Sequence, residues 1–526
     1  MRAEKGLSDR TSFPYSPTVG EERERDFGIP GRRRGTAVTN MWTQVSMPLW
    51  ALVVLGLLAA LAVLDRLLLP SVRWALRRRA NRAIEELNTR LKLRIQPFKL
   101  TTRKAMTDRL IYDPEVLAAI DQHAQETGIP RDVVFAKASR YAREIVPSFS
   151  AFAYFKVGTR LARKLSRALY RVRTGFASPD ALAAVDPDAS VVFVINHRSN
   201  MDYVLVTYVA ASSSALSYAV GEWAQVWGLR ALIRSMGAYF IRRNSRDALY
   251  RKVLARYVDM ATKAGVVQAV FPEGGLTRDG LLRPPKLGLL SYMVSGFDPN
   301  GPRDVVFIPV GINYDRVLED RILTAAADTA PGETPRFRFN PVVFTGFVLK
   351  NLWLLVRGEW HRYGYACVSF GAPVSLRSHL SASRTDLRTL SPERRQGEIE
   401  RLGLTLMDAV GRVVPALPVS IVAAVMLENG EKPLNAFELK GRTFALMTAL
   451  EDAGAYVHIP RHDREYAIDV GLRMLCQRHI VKKADGLYSA NPSEMMLLGY
   501  YANAIRHHRA PNPAPDIAPG LKTDQA

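Results

Sequence analysis

Six short apolar runs alternate with helical stretches between residues 185 and 375, and they restrict the possible folds of this chain most strongly. They are VVFVI (191–195), SYAVG (217–221), AYFIR (238–242), VQAVF (267–271), VVFIPVGI (305–312) and YACVSFG (365–371). Several are apolar throughout, as strands are in a sheet that is covered on both faces. Their alternation with helices predicts an α/β fold in which a central mixed sheet is flanked by helices.

Polar residues follow four of these runs, at the points where the strands are predicted to end. Ligand sites in α/β sheets gather at the carboxyl ends of strands, so we expect the four groups to form a common site. In chain order the groups are Asn196-His197-Arg198-Ser199, Arg242-Arg243-Asn244, Pro272-Glu273-Gly274-Gly275 and Asn313-Tyr314-Asp315.

His197 and Asp202 are the candidate catalytic pair. A histidine beside a carboxylate is the minimal general base, because the carboxylate fixes the tautomer and stabilises the imidazolium. Five residues along one helix separate two side chains by about 140°. The two can therefore pair only if His197 lies in a turn and Asp202 in the first turn of a helix that starts near Asn200. The alternative is a strand that ends in an ordinary polar turn.

Arg242 and Arg243 are candidate phosphate ligands, because a guanidinium binds a phosphate in a bidentate manner. The alternative is a surface pair with Asp247.

Glu273, Gly274 and Gly275 place a carboxylate beside accessible backbone, where a substrate can approach closely. The alternative is a tight turn with a solvated glutamate. Arg278 and Lys286 follow and would add positive charge to the same mouth.

Residues 42–64 carry no charge over 23 positions, which is long enough to cross a bilayer as a helix. Ala60-Leu61-Ala62 also fits a signal-peptide cleavage site, but a charged leader of 41 residues precedes the segment. A buried soluble helix is a further alternative. Six arginines against Asp65 in residues 65–82 favour a cell inner membrane protein whose main body is cytoplasmic.

Residues 155–175, FKVGTRLARKLSRALYRVRTG, hold seven cations and no acid. Apolar residues recur there at every fourth position from Val157 to Leu169, which is typical of a helix lying on an anionic membrane. A solvated basic face on a core-packed helix is the equal alternative.

The net charge of +22 implies an anionic partner, either phospholipid, nucleic acid or an acidic protein or substrate. Two cysteines make neither a disulfide framework nor a zinc site. A winged hairpin, HIVKKADGLYSA (479–490), would be compatible with nucleic-acid binding, but the charge is concentrated near the membrane segment. We therefore expect anionic membrane lipids and no nucleic acid.

The sequence divides into six regions. They are a disordered leader (1–40), a transmembrane or membrane-inserted helix (41–66), a basic helical region (67–180), the catalytic domain (181–380), a helical C-terminal domain (381–508) and a disordered tail (509–526).

Four blocks of the sequence resemble those of glycerol-3-phosphate acyltransferases in order and spacing. They are HRSNMDY, GAYFIRRNSRDALYRKVL, FPEGGLTRDGLLRPPKLG and FIPVGINYD. The resemblance covers residues 185–320, and the C-terminal part ending in YYANAIRHH (500–508) resembles bacterial membrane-bound members more loosely. One H-x-x-x-x-D is a weak signal, whereas all four blocks in order are highly specific.

The resemblance implies a glycerophospholipid acyltransferase type of fold and a role for the pair. His197 would take the proton from the sn-1 hydroxyl of glycerol 3-phosphate as that oxygen attacks a thioester, and Asp202 would be its partner. The donor would be an acyl carrier protein or coenzyme A carrying a long-chain acyl group. No metal, other cofactor or acyl-enzyme is implied.

The resemblance also assigns the remaining blocks. Arg243, together with Arg242, matches the block that holds the substrate phosphate. Glu273 and Gly274 match the glycerol-phosphate side of the third block. Pro309 belongs to the block that shapes the acyl pocket.

The chain departs from the family pattern at Leu276, where the third block usually has an arginine, although Arg278 matches the later arginine. Asn196 is similar to the enzymes that acylate 1-acylglycerol 3-phosphate, whereas Arg198 and Tyr203 favour the first-step enzymes. We expect a membrane-anchored glycerol-3-phosphate 1-O-acyltransferase. The alternative acceptors are 1-acylglycerol 3-phosphate, another lysophospholipid or dihydroxyacetone phosphate.

Overall fold

The computed structural model of the chain describes residues 48, 53, 56, 93–177, 179–210, 215–221, 229–242, 245–326 and 363–509. The chain divides into two units, 1–77 and 78–526, and the described residues lie almost entirely in the second. The leader, the membrane segment at 42–64 and the tail fall outside the described residues, apart from Pro48, Val53, Gly56 and Arg509. None of the helices within the described ranges is long and apolar enough to cross a membrane.

An eight-stranded mixed sheet forms the centre of the second unit. Its strands run in the order β1-β7-β6-β2-β5-β3-β4, and β8 pairs with β6 beside β7. The strands are β1 (Arg171–Phe176), β2 (Ser190–Ile195), β3 (Ser217–Gly221), β4 (Tyr239–Ile241), β5 (Gln268–Val270), β6 (Val305–Tyr314), β7 (Tyr365–Phe370) and β8 (Val374–Ser375). All six predicted strands are present, and the predicted mixed sheet is confirmed.

Strand direction places the carboxyl ends of the central strands together. β2 is parallel to both of its neighbours, β5 and β6. The register pairs Ile195, the last residue of β2, with Val310. β6 therefore extends four residues beyond the end of β2, to Tyr314. β7 and β8 run antiparallel to β6, which makes the sheet mixed.

Helices cover both faces of this sheet. They are α1 (Pro97–Leu100), α2 (Arg103–Ile111), α3 (Pro114–Thr127), α4 (Arg131–Ile145), α5 (Thr159–Leu169), α6 (Pro179–Ala183), α7 (Met201–Ala210), α8 (Leu229–Ser235), α9 (Ala248–Lys263), α10 (Gly288–Val294), α11 (Asp320–Ala325), α12 (Leu376–Ala382), α13 (Pro392–Val413), α14 (Pro418–Asn429), α15 (Ala436–Asp452), α16 (Arg464–Gln477) and α17 (Met495–Ala502). A π-helical turn, Ala153–Gly158, leads into α5, and short 3₁₀ turns occur at Pro460–His462, Pro492–Glu494 and Asn503–His508.

The side chains of β2 alternate between two hydrophobic cores, as the two-residue period of a strand requires. Val191, Phe193 and Ile195 join the core that contains residues of α7, α14, α16 and α17. Val192 and Val194 join the core that contains residues of α2, α3, α4 and α9. The region predicted as a C-terminal domain contributes to both cores, because α14, α16 and α17 join the first and α13 joins the second.

The C-terminal region also carries the predicted hairpin. β10 (Val481–Ala484) and β11 (Leu487–Ala490) are antiparallel, and a third strand, β9 (Leu434–Asn435), pairs with β11. Asp485 and Gly486 both have positive φ, which is the conformation that a two-residue hairpin turn requires.

The interpretation of residues 155–175 as one basic helix is wrong at its C-terminal end, from Arg171 onward. α5 ends at Leu169, and Arg171 and Arg173 lie on β1, which pairs in parallel with β7 at the edge of the sheet. Pairing with a strand almost two hundred residues away overrides the helical spacing of the local sequence.

Candidate active site

The polar turn that follows β2 holds the candidate catalytic pair. β2 ends at Ile195 and α7 begins at Met201, so His197 lies in the turn and Asp202 in the first turn of the helix. His197 Nδ1 lies 2.9 Å from Asp202 Oδ2. The two residues are 1% and 0% exposed. This is the geometry that the five-residue spacing predicted, with His197 in a turn and Asp202 at the start of the helix that follows.

The carboxylate of Asp202 accepts four hydrogen bonds. Oδ2 accepts from the His197 ring and from the backbone N–H groups of Arg198 at 2.8 Å and Ser199 at 3.0 Å. Oδ1 accepts from the hydroxyl of Tyr314 at 2.6 Å. Because a carboxylate only accepts, the imidazole donates from Nδ1 and its lone pair is on Nε2.

Two aromatic rings lie beside the imidazole. The ring centroids of Phe271 and Tyr203 are 4.3 and 5.4 Å from that of His197. Nε2 is buried, and no residue in the described part of the chain forms a hydrogen bond with it. A fixed imidazole with an unused lone pair is able to accept a proton from a bound molecule.

Glu273 connects this turn to the motif loop, which we define as residues 271–287. Its Oε1 accepts the backbone N–H of His197 at 2.8 Å, and its Oε2 accepts that of Arg283 at 3.3 Å. Burial raises the pKa of Glu273 to about 7, and the two N–H groups oppose this shift. The backbone N–H of Thr277 donates to the carbonyl of His197 at 3.1 Å. The motif loop therefore holds the His197 backbone on both sides, and Glu273 is a positioning residue.

The predicted glycines of the motif loop form its first turn and Lys286 packs there, whereas Arg278 contacts Ala326, just after α11. Gly274 has a φ of +69° and, with the half-buried Gly275, forms the tight turn. A Cβ on Gly274 would stand 2.5 Å from Cδ of Lys286, so the lysine stem packs on the glycine. Arg278 donates to the carbonyl of Ala326 at 3.2 Å. Neither cation forms an ion pair with a described residue, so both remain able to bind an anion.

Arg242 lies apart from this turn. β5 and β6 flank β2, whereas β4 is the edge strand and lies three positions from β2. At about 4.8 Å per strand, β4 and β2 are roughly 14 Å apart. The guanidinium of Arg242 forms a bidentate pair with Glu144 of α4, at 3.0 and 2.6 Å, which raises the pKa of the arginine. Arg243 falls outside the described residues. The phosphate role of both arginines stays a prediction, and among described residues the common site is built by the ends of β2, β5 and β6.

The fourth polar group divides between the site and the C-terminal region. Tyr314 bonds to Asp202. Its neighbour Asn313 instead donates to the carbonyl of Pro415 at 2.8 Å, and Asp315 accepts the backbone N–H of Val419 at 3.3 Å. These two residues attach the end of β6 to the start of α14.

Pro309 and Asn196 belong to the central ladder. Pro309 is buried within β6 opposite Val194, and its carbonyl accepts the N–H of Gly371 at 2.8 Å. Its role in an acyl pocket stays a prediction. The amide of Asn196 bonds to both the N–H and the carbonyl of Ile312, at 2.7 and 2.9 Å. Asn196 therefore extends the pairing of β2 with β6, which explains its presence without reference to the acceptor.

Comparison with known families agrees with this site. Residues 178–313 match the family model described as Acyltransferase, and residues 351–512 match that of the glycerol-3-phosphate acyltransferase C-terminal region. Together the two matches cover more than half of the chain. The chain belongs to the glycerol-3-phosphate acyltransferase family.

Curated members of this family are similar over long stretches. The chain is 26% identical over 428 residues to the glycerol-3-phosphate acyltransferase of Alteromonas mediterranea, which covers 78% of this chain and 50% of the relative. It is 30% identical over 329 residues to a putative acyltransferase of Mycobacterium tuberculosis, covering 61% and 49%. The chain thus spans about half the length of the curated relatives that it matches.

One solved structure is also similar in part. It is the 1-acyl-sn-glycerophosphate acyltransferase of Thermotoga maritima, with a TM-score of 0.28, 17% identity, and coverage of 58% of this chain and 97% of that one. A similarity this low has no bearing on the fold.

Three further residues support the acyltransferase-family dyad, and sequence reasoning missed two of them, Glu319 and Tyr500. The hydroxyl of Tyr314 holds Asp202. Glu319 accepts the Ser199 hydroxyl at 2.8 Å and so fixes the start of α7. Tyr500 of α17 donates to the carbonyl of Arg198 at 3.3 Å. Tyr314 belonged to the fourth polar group that the sequence predicted for the common site, whereas Tyr500 was contained only in the segment YYANAIRHH and Glu319 carried no sequence signal.

Proposed function

We propose that this protein transfers a long-chain acyl group from a thioester to the sn-1 hydroxyl of glycerol 3-phosphate. The observation that carries the proposal is the buried His197–Asp202 pair, whose Nε2 has no partner among described residues. Family membership supports the same chemistry, since curated relatives carry the name glycerol-3-phosphate acyltransferase.

The proposed reaction needs one base and no covalent enzyme intermediate. Nε2 of His197 takes the proton from the hydroxyl as the oxygen attacks the thioester carbonyl. The new C–O bond forms, the C–S bond breaks, and the imidazolium returns the proton to the leaving thiolate. Asp202 keeps Nδ1 protonated and stabilises the imidazolium between these two steps.

The cations of the motif loop are the proposed binding groups for the acceptor phosphate. Arg278 and Lys286 lack ion-pair partners among the described residues, and both follow the strand next to the dyad. Arg243 and Arg242 are proposed from the family blocks alone. The proposed donor is acyl carrier protein or coenzyme A thioester, and the proposed location is the inner membrane with the catalytic domain on the cytoplasmic side.

Leu276 supports a second candidate acceptor. It is half-buried in the motif loop where the family usually has an arginine, which removes one phosphate ligand. A lysophospholipid or dihydroxyacetone phosphate would be the acceptor if binding relied less on that charge.

The test is a product assay with the purified full-length chain, labelled glycerol 3-phosphate and each thioester donor. The proposal predicts 1-acylglycerol 3-phosphate, with the acyl group at the sn-1 position. Unlabelled 1-acylglycerol 3-phosphate should compete poorly. Acylation of that competitor without acylation of glycerol 3-phosphate would contradict the proposed acceptor.

A further inference from the structure

One surface of the molecule exposes large apolar side chains along a single line. We call it the leucine stripe, and it consists of Phe152, Val157, Leu161 and Leu165, which are 70, 42, 52 and 40% exposed. The last three recur at every fourth position, with Val157 in the π-helical turn and Leu161 and Leu165 on the face of α5 that follows it. Phe152 and Val157 are five residues apart, and the π-helical turn between them brings residues at that spacing onto the same face.

The opposite side of this helix buries small side chains. Ala162 and Ser166 of α5 face the interior, at 4 and 0% exposed. A Cβ on Gly158 would stand 2.8 Å from Cε of Met236. A soluble amphipathic helix turns its leucines inward and its small polar residues outward. Here Leu161 and Leu165 face outward and Ser166 faces inward, which is the reverse arrangement. Leu169, at the end of the helix, is buried in the core and so does not continue the exposed line that the sequence predicted. The reversal indicates that its outer face meets an apolar medium.

Unpaired positive charges flank the leucine stripe. Residues 155–175 contain no acid, and all of the cations between Lys156 and Arg167 are exposed. None of them forms an ion pair with any residue in the described ranges. Arg167 instead donates to the hydroxyl of Tyr208, over whose ring Arg163 also lies. Cations beside a line of exposed leucines complement a surface that is both apolar and anionic.

We propose that the leucine stripe inserts into the interface of an anionic phospholipid bilayer, with the flanking cations at the head groups. An acidic protein would account for the cations but not for four large apolar side chains in line, whereas the bilayer interface accounts for both. The proposal does not depend on acyl transfer. Since α5 packs against α7, the contact lies on the layer that carries Asp202.

The test places a spin label at residue 161 of the full-length chain in nanodiscs. Leu161→Cys is made in a Cys476→Ala background, because Cys367 is buried. Val133→Cys is the matched control. Val133 is also 52% exposed on a helix, but its sequence neighbours are the acidic residue Asp132 and Val134, whereas cations flank Leu161. Accessibility of each label to oxygen and to a water-soluble nickel chelate is measured in phosphatidylglycerol and in phosphatidylcholine nanodiscs.

The proposal predicts that the label at 161 gains oxygen accessibility and loses nickel accessibility in phosphatidylglycerol, by about threefold or more relative to detergent. The label at 133 should not change. Three results would overturn the proposal. The first is unchanged nickel accessibility at 161 in anionic nanodiscs. The second is shielding of the label at 161 already in detergent, which would indicate that another segment or a second copy of this chain covers the stripe. The third is shielding that appears only when acyl carrier protein is added.

Discussion

The hydroxyl of Tyr314 is the contact on which the orientation of the candidate base depends most directly. It donates to the carboxylate oxygen of Asp202 that His197 does not use, within a fully buried environment. A hydrogen bond to a charged group contributes about 1.5–3 kcal/mol. Without it the bonds to Oδ2 remain, but Oδ1 loses its hydroxyl donor in a buried environment, and the carboxylate that orients the imidazole is held less firmly.

Tyr314→Phe is therefore expected to lower kcat by about 10- to 100-fold while leaving KM for the acceptor nearly unchanged. Tyr170→Phe is the control, because the Tyr170 hydroxyl is equally buried and donates to a backbone carbonyl, that of Arg316, at 2.8 Å. The two rings are 5.2 Å apart. Steady-state kinetics of both variants measure these changes in kcat and KM. An equal loss of kcat in Tyr170→Phe would show that the loss in Tyr314→Phe comes from disturbed packing and not from the hydrogen bond to Asp202.

Glu273 makes the stability of the protein depend on pH. Burial raises its pKa from 4.5 to about 7. Between these values the folded state binds more protons than the unfolded state, so the stabilisation from this group is complete below about pH 4.5. It is lost as pH rises to about 7, by roughly 3 kcal/mol in all.

Glu273→Gln removes this ionisation. The melting temperature of the variant minus that of the wild type should become more positive as pH rises from about 5 to about 8. Glu400→Gln, at an exposed position of α13, should show no such trend. Differential scanning fluorimetry across this range is the measurement, and a constant difference for Glu273→Gln would refute the assignment.

At the scale of elements, the motif loop is fixed against the C-terminal helix α17. Gly280 of the loop has a φ of +83°, and a Cβ there would stand 1.9 Å from the carbonyl oxygen of Tyr500. Asn503 donates to the carbonyl of Asp279 at 2.9 Å. Arg198 donates to the carbonyl of Gly280 at 3.1 Å and lies over the ring of Tyr500. The two elements and the catalytic turn therefore form one packed contact.

Gly280→Ala should destabilise the protein more than an alanine at a matched glycine. Gly454 has a φ of +80° but open space around its Cα, so Gly454→Ala should cost only the left-handed backbone strain of about 1–2 kcal/mol. Gly280→Ala should cost about 1–3 kcal/mol more, because the Tyr500 backbone must also shift. Urea denaturation compares the two, and equal losses would mean that the loop separates from α17 without cost.

Local pattern was sufficient to predict the six central strands and the dyad. The strands are dense in Val, Ile and Phe, and His197 and Asp202 are only five residues apart, so their geometry is fixed by one turn. β1 was not predictable, because Arg171 and Arg173 continue a helical spacing and only pairing with β7 makes them a strand. Glu319 and Tyr500 were not predictable either, because each meets the catalytic turn from more than one hundred residues away.

At the scale of the whole molecule, the C-terminal region completes the core. Residues of α14, α16 and α17 share a hydrophobic cluster with β2 and β6. Tyr501 of α17 donates to the buried carboxylate of Asp320, which also pairs with Arg478 at 2.7 Å. One face of the catalytic sheet is therefore closed by α7 together with residues near the end of the chain.

A chain that ends at Asn491 lacks α17 and should lose its cooperative thermal transition, because the core face is left exposed. A chain that ends at Arg509 removes only the Pro-rich tail and should melt at the wild-type temperature. Circular dichroism melting of both truncations tests this. A cooperative transition in the shorter chain would mean that the catalytic unit folds without α17.

The central claim is that His197 is the base in acyl transfer to glycerol 3-phosphate. The most direct measurement is the initial rate of labelled glycerol 3-phosphate acylation by His197→Ala, with circular dichroism melting of the same preparation. The account predicts a rate at least about 100-fold below that of the wild type in a variant that still unfolds cooperatively. A folded variant with near-normal turnover would contradict it.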